Sequence, residues 1–169
     1  LGFRALGGSD FYAGGLTTGG RNTAVGHYTL SLVTTASNNT AFGANAGYYN
    51  TSGGNNTFVG SFAGYTSLSG SNNTAIGADS LKVVTSGNGN MAIGRSSMGQ
   101  NTEGDDNVAV GKNALSKNTT GSNNVAIGST ALTLSSSGAV ENNVAIGGNA
   151  LDGLNPGQNG NIAIGYRAG

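Results

Sequence analysis

A five-residue unit returns down this chain in a single phase: Asn, then Thr or Val, then Ala, then Val, Ile or Phe, then Gly. Its closing glycines, Gly26, Gly43, Gly60, Gly77, Gly94, Gly111 and Gly128, stand a constant seventeen positions apart. Outlying copies close at Gly2, Gly147 and Gly165, each at an offset longer than that interval. A fixed period of this size means one supersecondary unit stacked on itself, with each copy contacting only its neighbours. The spacing predicts a rod, not a globular domain around one pocket.

Glycine supplies 32 of the 169 residues and charged residues only 8 %, which alone would suit a disordered low-complexity segment. The fixed phase of the apolar residues argues against disorder. Net charge is zero, so no basic surface is expected to neutralise phosphates, and nucleic acid is not an expected partner. No apolar run approaches the roughly 20 residues of a membrane span, so membrane insertion by this segment is not expected. No signal-peptide pattern opens the chain, and it starts and stops within repeats, as a fragment of a longer fibrous chain would. Cysteine is absent, which removes disulfides and thiolate metal sites.

With Asn as position one, the copies begin at Asn22, Asn39, Asn56, Asn73, Asn90, Asn107, Asn124, Asn143 and Asn161. Position three is Ala except for Phe58. Position four is Val25, Phe42, Val59, Ile76, Ile93, Val110, Ile127, Ile146 and Ile164. Position nine is Leu or Met at residues 30, 81, 98, 115, 132 and 151, and Gly at residues 47, 64 and 169. The run from position two to position five alternates, as a strand does, so positions two and four share one face and the Ala and Gly positions the other. By size, position four is expected inside the coil with Leu at position nine, and the Ala/Gly face against a neighbouring chain or strand. Stacking places equivalent residues about 4.8 Å apart, with the Asn column forming an amide ladder. Helix is disfavoured by the recurrent Gly and the β-branched residues at the apolar positions. The expected fold is all-β: a parallel β-roll or β-solenoid of about nine to ten coils over residues 1–169, interrupted by an insertion at 7–20. So narrow an interior buries little per chain, and one strand per period differs from the three hexads of a single-chain triangular helix. An oligomer of several rolls is therefore expected.

The units Asn73-Thr74-Ala75-Ile76-Gly77, Asn124-Val125-Ala126-Ile127-Gly128, Asn143-Val144-Ala145-Ile146-Gly147 and Asn161-Ile162-Ala163-Ile164-Gly165 resemble the YadA-like head repeats of trimeric autotransporter adhesins. The longer spacing, with Ala114-Leu115, Ala131-Leu132 and Ala150-Leu151, resembles the variant found in phage and giant-virus tail-fibre proteins. The resemblance implies a left-handed roll, a homotrimer, and an elongated fibre exposed on a cell or virion surface. Asn73, Ile76, Gly77, Asn107, Gly111, Asn124, Ile127 and Gly128 are its structural repeat residues.

Chemistry finds little purchase. His27 is the single histidine, so no triad or His-rich metal site can be built within one chain. Glu103, Asp105 and Asp106 form one acidic cluster, read as a solvated turn because a hard cation wants more converging oxygens. No catalytic residue, cofactor or metal is expected. The aromatic residues concentrate before residue 66, with only Tyr166 beyond. Tyr48 and Tyr65 lie one full period apart, each after a Gly at position nine. Two readings stand side by side: the rings refill space left by the missing Leu, or they form a platform for the flat faces of sugars. Insertions into repeat arrays map to loops on one face, where binding often lies, and the 7–20 insertion carries Phe11 and Tyr12. The candidate glycan contacts are Phe11, Tyr12, Tyr28, Tyr48, Tyr49 and Tyr65. Asn-x-Ser/Thr occurs at Asn38, Asn50, Asn55, Asn72 and Asn118, as composition alone would produce. The expected function is a non-enzymatic, extracellular structural or adhesive fibre segment whose partners are its own copies and a cell-surface glycan. The alternatives are a viral tail-fibre shaft that serves binding to a host receptor, and the subunit of an end-to-end filament.

Overall fold

A computed structural model describes residues 18–169. Nine three-residue strands follow in chain order: β1 (Thr23–Val25), β2 (Thr40–Phe42), β3 (Thr57–Val59), β4 (Thr74–Ile76), β5 (Met91–Ile93), β6 (Val108–Val110), β7 (Val125–Ile127), β8 (Val144–Ile146) and β9 (Ile162–Ile164). They form one parallel sheet in that same order. The register sets each repeat on the next, Thr23 against Thr40 and Ala109 against Ala126. The architecture is a β-solenoid of about eight turns carrying nine strands. The copy closing at Gly2 lies outside the described residues. Pairing continues past the strands: Leu30 N–H donates to the Ala46 carbonyl (3.0 Å), Leu115 N–H to Ala131 (3.0 Å), and Thr102 N–H to Thr119 (2.8 Å). Coil-to-coil backbone bonds thus satisfy main-chain groups that a loop would leave to water.

The alternation is present, but its two faces are the reverse of the size-based expectation. Position three is buried, with Ala75, Ala92, Ala109, Ala126 and Ala145 fully inaccessible, beside Leu30, Leu81, Met98, Leu115 and Leu132 of position nine. Position four faces out: Phe42 is 58 % exposed, and Ile76 and Ile127 are each 38 % exposed. Ile76 and Ile127 are therefore repeat residues of the outer face, not of the core. The physical reason is width. In most coils a Leu or Met at position nine and the Asn amide already fill the interior, so the strand adds only a methyl group there. The position-five glycine also has a reason inside the chain. Gly94 has φ +124°, and a Cβ on it would stand 2.7 Å from the carbonyl of Gly111 one coil on. Left-handed backbone and close coil contact together exclude a side chain, so this face needs no neighbouring chain to explain it.

Phe58 shows how the interior accommodates an exception. It is fully buried where other coils carry Ala. Position nine is Gly47 in the preceding coil and Gly64 in its own, and a Cβ at either would strike the Phe58 ring. One ring therefore occupies the volume that two leucines hold elsewhere.

The Asn column ties each coil to itself and to the next. Asn73 Nδ2 donates to the Gly87 carbonyl (2.8 Å), closing its own coil, while Asn73 Oδ1 accepts from the Asn90 N–H (2.9 Å) above. Asn107 repeats both bonds, to the Gly121 carbonyl (2.9 Å) and from the Asn124 N–H (3.0 Å). Only a side chain that both donates and accepts can do this. The expected amide ladder is present, carried mainly through backbone groups. A second buried Asn column stands at position twelve. Asn101 Nδ2 donates to the Gly104 carbonyl (2.9 Å) and Asn118 Nδ2 to that of Gly121 (2.7 Å). Ser67 and Val84 interrupt this column, and both Asn50 Oδ1 and Ser67 Oγ are buried without a partner.

Candidate functional site

Because equivalent residues stack, a surface column is read simply by stepping one period at a time. Column ten runs Tyr48, Tyr65, Lys82, Gly99, Ser116: two rings, an ammonium, no side chain, then a hydroxyl. Columns seven and eleven flank it and contribute Phe62, Asp79, Ser96 and Asn113 on one side, Tyr49, Gln100 and Lys117 on the other. The consequence is a continuous feature along one face of the rod. Tyr48 and Tyr65 stack with centroids 5.5 Å apart at 25°. Tyr49 meets Tyr65 edge-on at 5.3 Å, as does Phe62 at 5.3 Å, and Tyr28 meets Tyr48 at 6.0 Å. The Lys82 ammonium lies 5.3 Å from the Phe62 ring and pairs with Asp79 at 2.8 Å. Desolvation first, and then the neighbouring Tyr49 phenol, push the Tyr65 pKa above the usual phenol range, so Tyr65 stays a neutral hydroxyl donor at physiological pH.

At Gly99 the column loses its side chain, and the surface drops into a recess of about 440 Å³ lined by Lys82, Ser96, Gly99, Gln100, Asn113 and Lys117 among others. Gln100 Oε1 accepts a 2.6 Å bond from Ser137 Oγ. Ser137 belongs to the coil that begins at Asn124, and the extra length of that coil reaches back to fix the Gln100 amide.

Of the candidate glycan contacts, Tyr28, Tyr48, Tyr49 and Tyr65 gather in this strip, all half-buried. Phe11, Tyr12 and the bulk of the 7–20 insertion lie outside the described residues. The idea that the tyrosines refill the missing leucine space is corrected: Phe58 fills it, which leaves the tyrosine rings on the outside. Phe62, Lys82, Gln100 and Lys117 were not singled out by sequence, although Phe62 shortly precedes Tyr65 and Lys82 follows it by one period. The recess lies in the coils beyond Gly77.

The remaining candidates serve the coil. Asp105 Oδ1 accepts from the Asn88 N–H at 2.7 Å, making that carboxylate part of a turn. His27 sits edge-on to Tyr28 at 4.2 Å. Asn50 and Asn118 are fully buried in the folded coil, whereas Asn38, Asn55 and Asn72 are exposed. No group of three or more His, Asp or Glu side chains suited to a metal ion occurs among the described residues.

A second surface feature follows from the reversed faces. Position four carries Val, Ile or Phe in all nine strands, and from Met91 onward position two is apolar as well (Val108, Val125, Val144, Ile162). An apolar stripe therefore runs along the outer face of the parallel sheet. Comparisons with protein-family models, curated proteins and solved structures return no match to this chain.

Proposed function

We propose that this chain is a non-enzymatic segment of an extracellular fibre, on a cell or virion surface, in which three copies pack side by side through the position-four stripe. The observation that carries the reading is that stripe. All-parallel sheets are ordinarily covered on both faces, because an apolar sheet face left in water forfeits burial at each rung. A second and third copy are the natural cover, since the stripe recurs at every coil and matches the length of an identical rod. The resemblance of the repeat to YadA-like head units supports the same assembly. The rod then serves attachment through its other face, or acts as a rigid spacer.

Ile93→Lys combined with Ile127→Lys tests this. The outward position lets both ammonium groups reach water, so the coil stays folded, but two charges sit in the proposed interface. The unaltered chain should melt at a temperature that rises with protein concentration, as subunit association requires. The double variant should keep its β circular dichroism and melt at a concentration-independent, lower temperature. A midpoint independent of concentration in the unaltered chain refutes the assembly.

A further inference from the structure

We infer that the tyrosine strip and the recess beside it form one binding groove for an acidic oligosaccharide. This deepens the attachment reading and rests on it, yet the groove itself is complete within one chain. It runs from the coil of Tyr48 to the coil of Lys117, four coil steps or about 19 Å. Its two ends have different chemistry in a fixed order. The first end offers ring faces and phenol hydroxyls, half-buried and therefore held in place, which suits the apolar face of a pyranose and its rim of hydroxyls. The second end is a recess of about 440 Å³, within the size range of small-ligand sites. It is lined by groups that both donate and accept: Ser96, Asn113 and Gln100, the last held by Ser137.

Charge decides the ligand class. Two ammonium groups face the recess, Lys82 and Lys117, and a single carboxylate, Asp79, is engaged by Lys82. Lys117 has no ion pair among the described residues. One positive charge is left to meet a carboxylate or sulfate on the sugar. A neutral glycan would stack but leave Lys117 without a partner, and an acidic peptide would leave the paired ring faces unused. The recess exists because Gly99 stands where the neighbouring coils place Lys82 and Ser116. Its φ is not in the left-handed region, and a Cβ there would meet only ordinary contacts at 3.4 Å and beyond. The absent side chain is therefore not demanded by the backbone.

That permissiveness supplies the test. The intact rod, Gly99→Phe, Lys117→Gln, Tyr48→Ser with Tyr65→Ser, and the control Lys112→Gln would be compared. Serine is a native residue of column ten at Ser31 and Ser116, so the double variant should fold. Binding is read on an array of uronate-containing, sialylated and sulfated oligosaccharides beside their neutral counterparts, with β circular dichroism and sedimentation confirming that each rod is folded and assembled. The intact rod should retain acidic glycans over neutral ones. Removing both tyrosines should weaken every bound glycan roughly tenfold or more. Gly99→Phe should abolish binding by filling the recess, and Lys117→Gln should erase the preference for acidic over neutral glycans. Lys112→Gln should change neither. Failure of the intact, assembled rod to retain any acidic glycan overturns the inference, as does unchanged binding by Gly99→Phe. Such a result in rods that sediment normally leaves the fibre reading standing.

Discussion

Asn107→Asp is nearly isosteric and isolates what the amide ladder does. Asn107 is wholly inaccessible, and its Nδ2 donates to the Gly121 carbonyl at 2.9 Å and to Asn90 Oδ1 at 3.1 Å. Its Oδ1 accepts from the N–H of Asn124 at 3.0 Å and from Asn124 Nδ2 at 2.9 Å. Aspartate keeps the acceptor but turns both donor contacts into oxygen facing oxygen. Each buried acceptor stranded in this way costs about 1–3 kcal/mol, and breaking a buried, charge-sensitive network costs about 3–5 kcal/mol. A loss of about 3–5 kcal/mol at pH 7 is a large part of a typical domain's stability. The pH dependence has a definite sign. Burial raises the folded-state pKa of the new carboxyl above its unfolded value of about 3.9. The variant is therefore closest to the parent below that unfolded value, loses stability as pH rises through the raised folded pKa, and shows its full deficit above it. Denaturant unfolding at pH 4 and pH 7, with hydrogen exchange at the Val108 and Val125 amides, reads both effects. Asn123→Asp is the control, because position seventeen is exposed and already holds Asp106 one coil earlier. Equal stability of the two variants at pH 7 would refute the ladder's role.

Phe58→Ala should cost roughly 3–5 kcal/mol in thermal or denaturant unfolding, because the ring fills two leucine sites. Adding Gly64→Leu should recover part of it, since leucine already occupies position nine at φ 46–52° in other coils. Ala109→Phe and Ala126→Phe should prevent folding or lower the melting temperature sharply. Their interior is already filled by Leu115 and Leu132, so no cavity awaits a ring. Gly94→Ala should destabilise the rod measurably, whereas Gly99→Ala should leave the melting temperature unchanged. The first places a Cβ against backbone at positive φ and the second does not.

The constant repeat phase makes the solenoid, its parallel register and the Asn ladder legible in the sequence, since each depends only on stacking like on like. Which strand face turned inward was not legible. Alternation is symmetric between faces, and the choice rests on the interior's width, which Leu and Asn together set. Size alone pointed Ile76 and Ile127 inward, and volume sent them out. Tyr48 and Tyr65 announced the aromatic strip by their spacing. The recess did not announce itself, because Gly99 marks it by a side chain it lacks and because columns seven and eleven meet only in space. The position-twelve Asn column had a signal in the single period between Asn101 and Asn118, obscured where Ser67 and Val84 break it.

In the proposed assembly the apolar stripe of one rod is covered by other copies of the same chain. Small-angle X-ray scattering of the unaltered protein, measured with its absolute intensity, tests it most directly. A trimer gives a particle of three times the 16.5 kDa chain mass, elongated along the solenoid axis. A particle of single-chain mass at every concentration would contradict it.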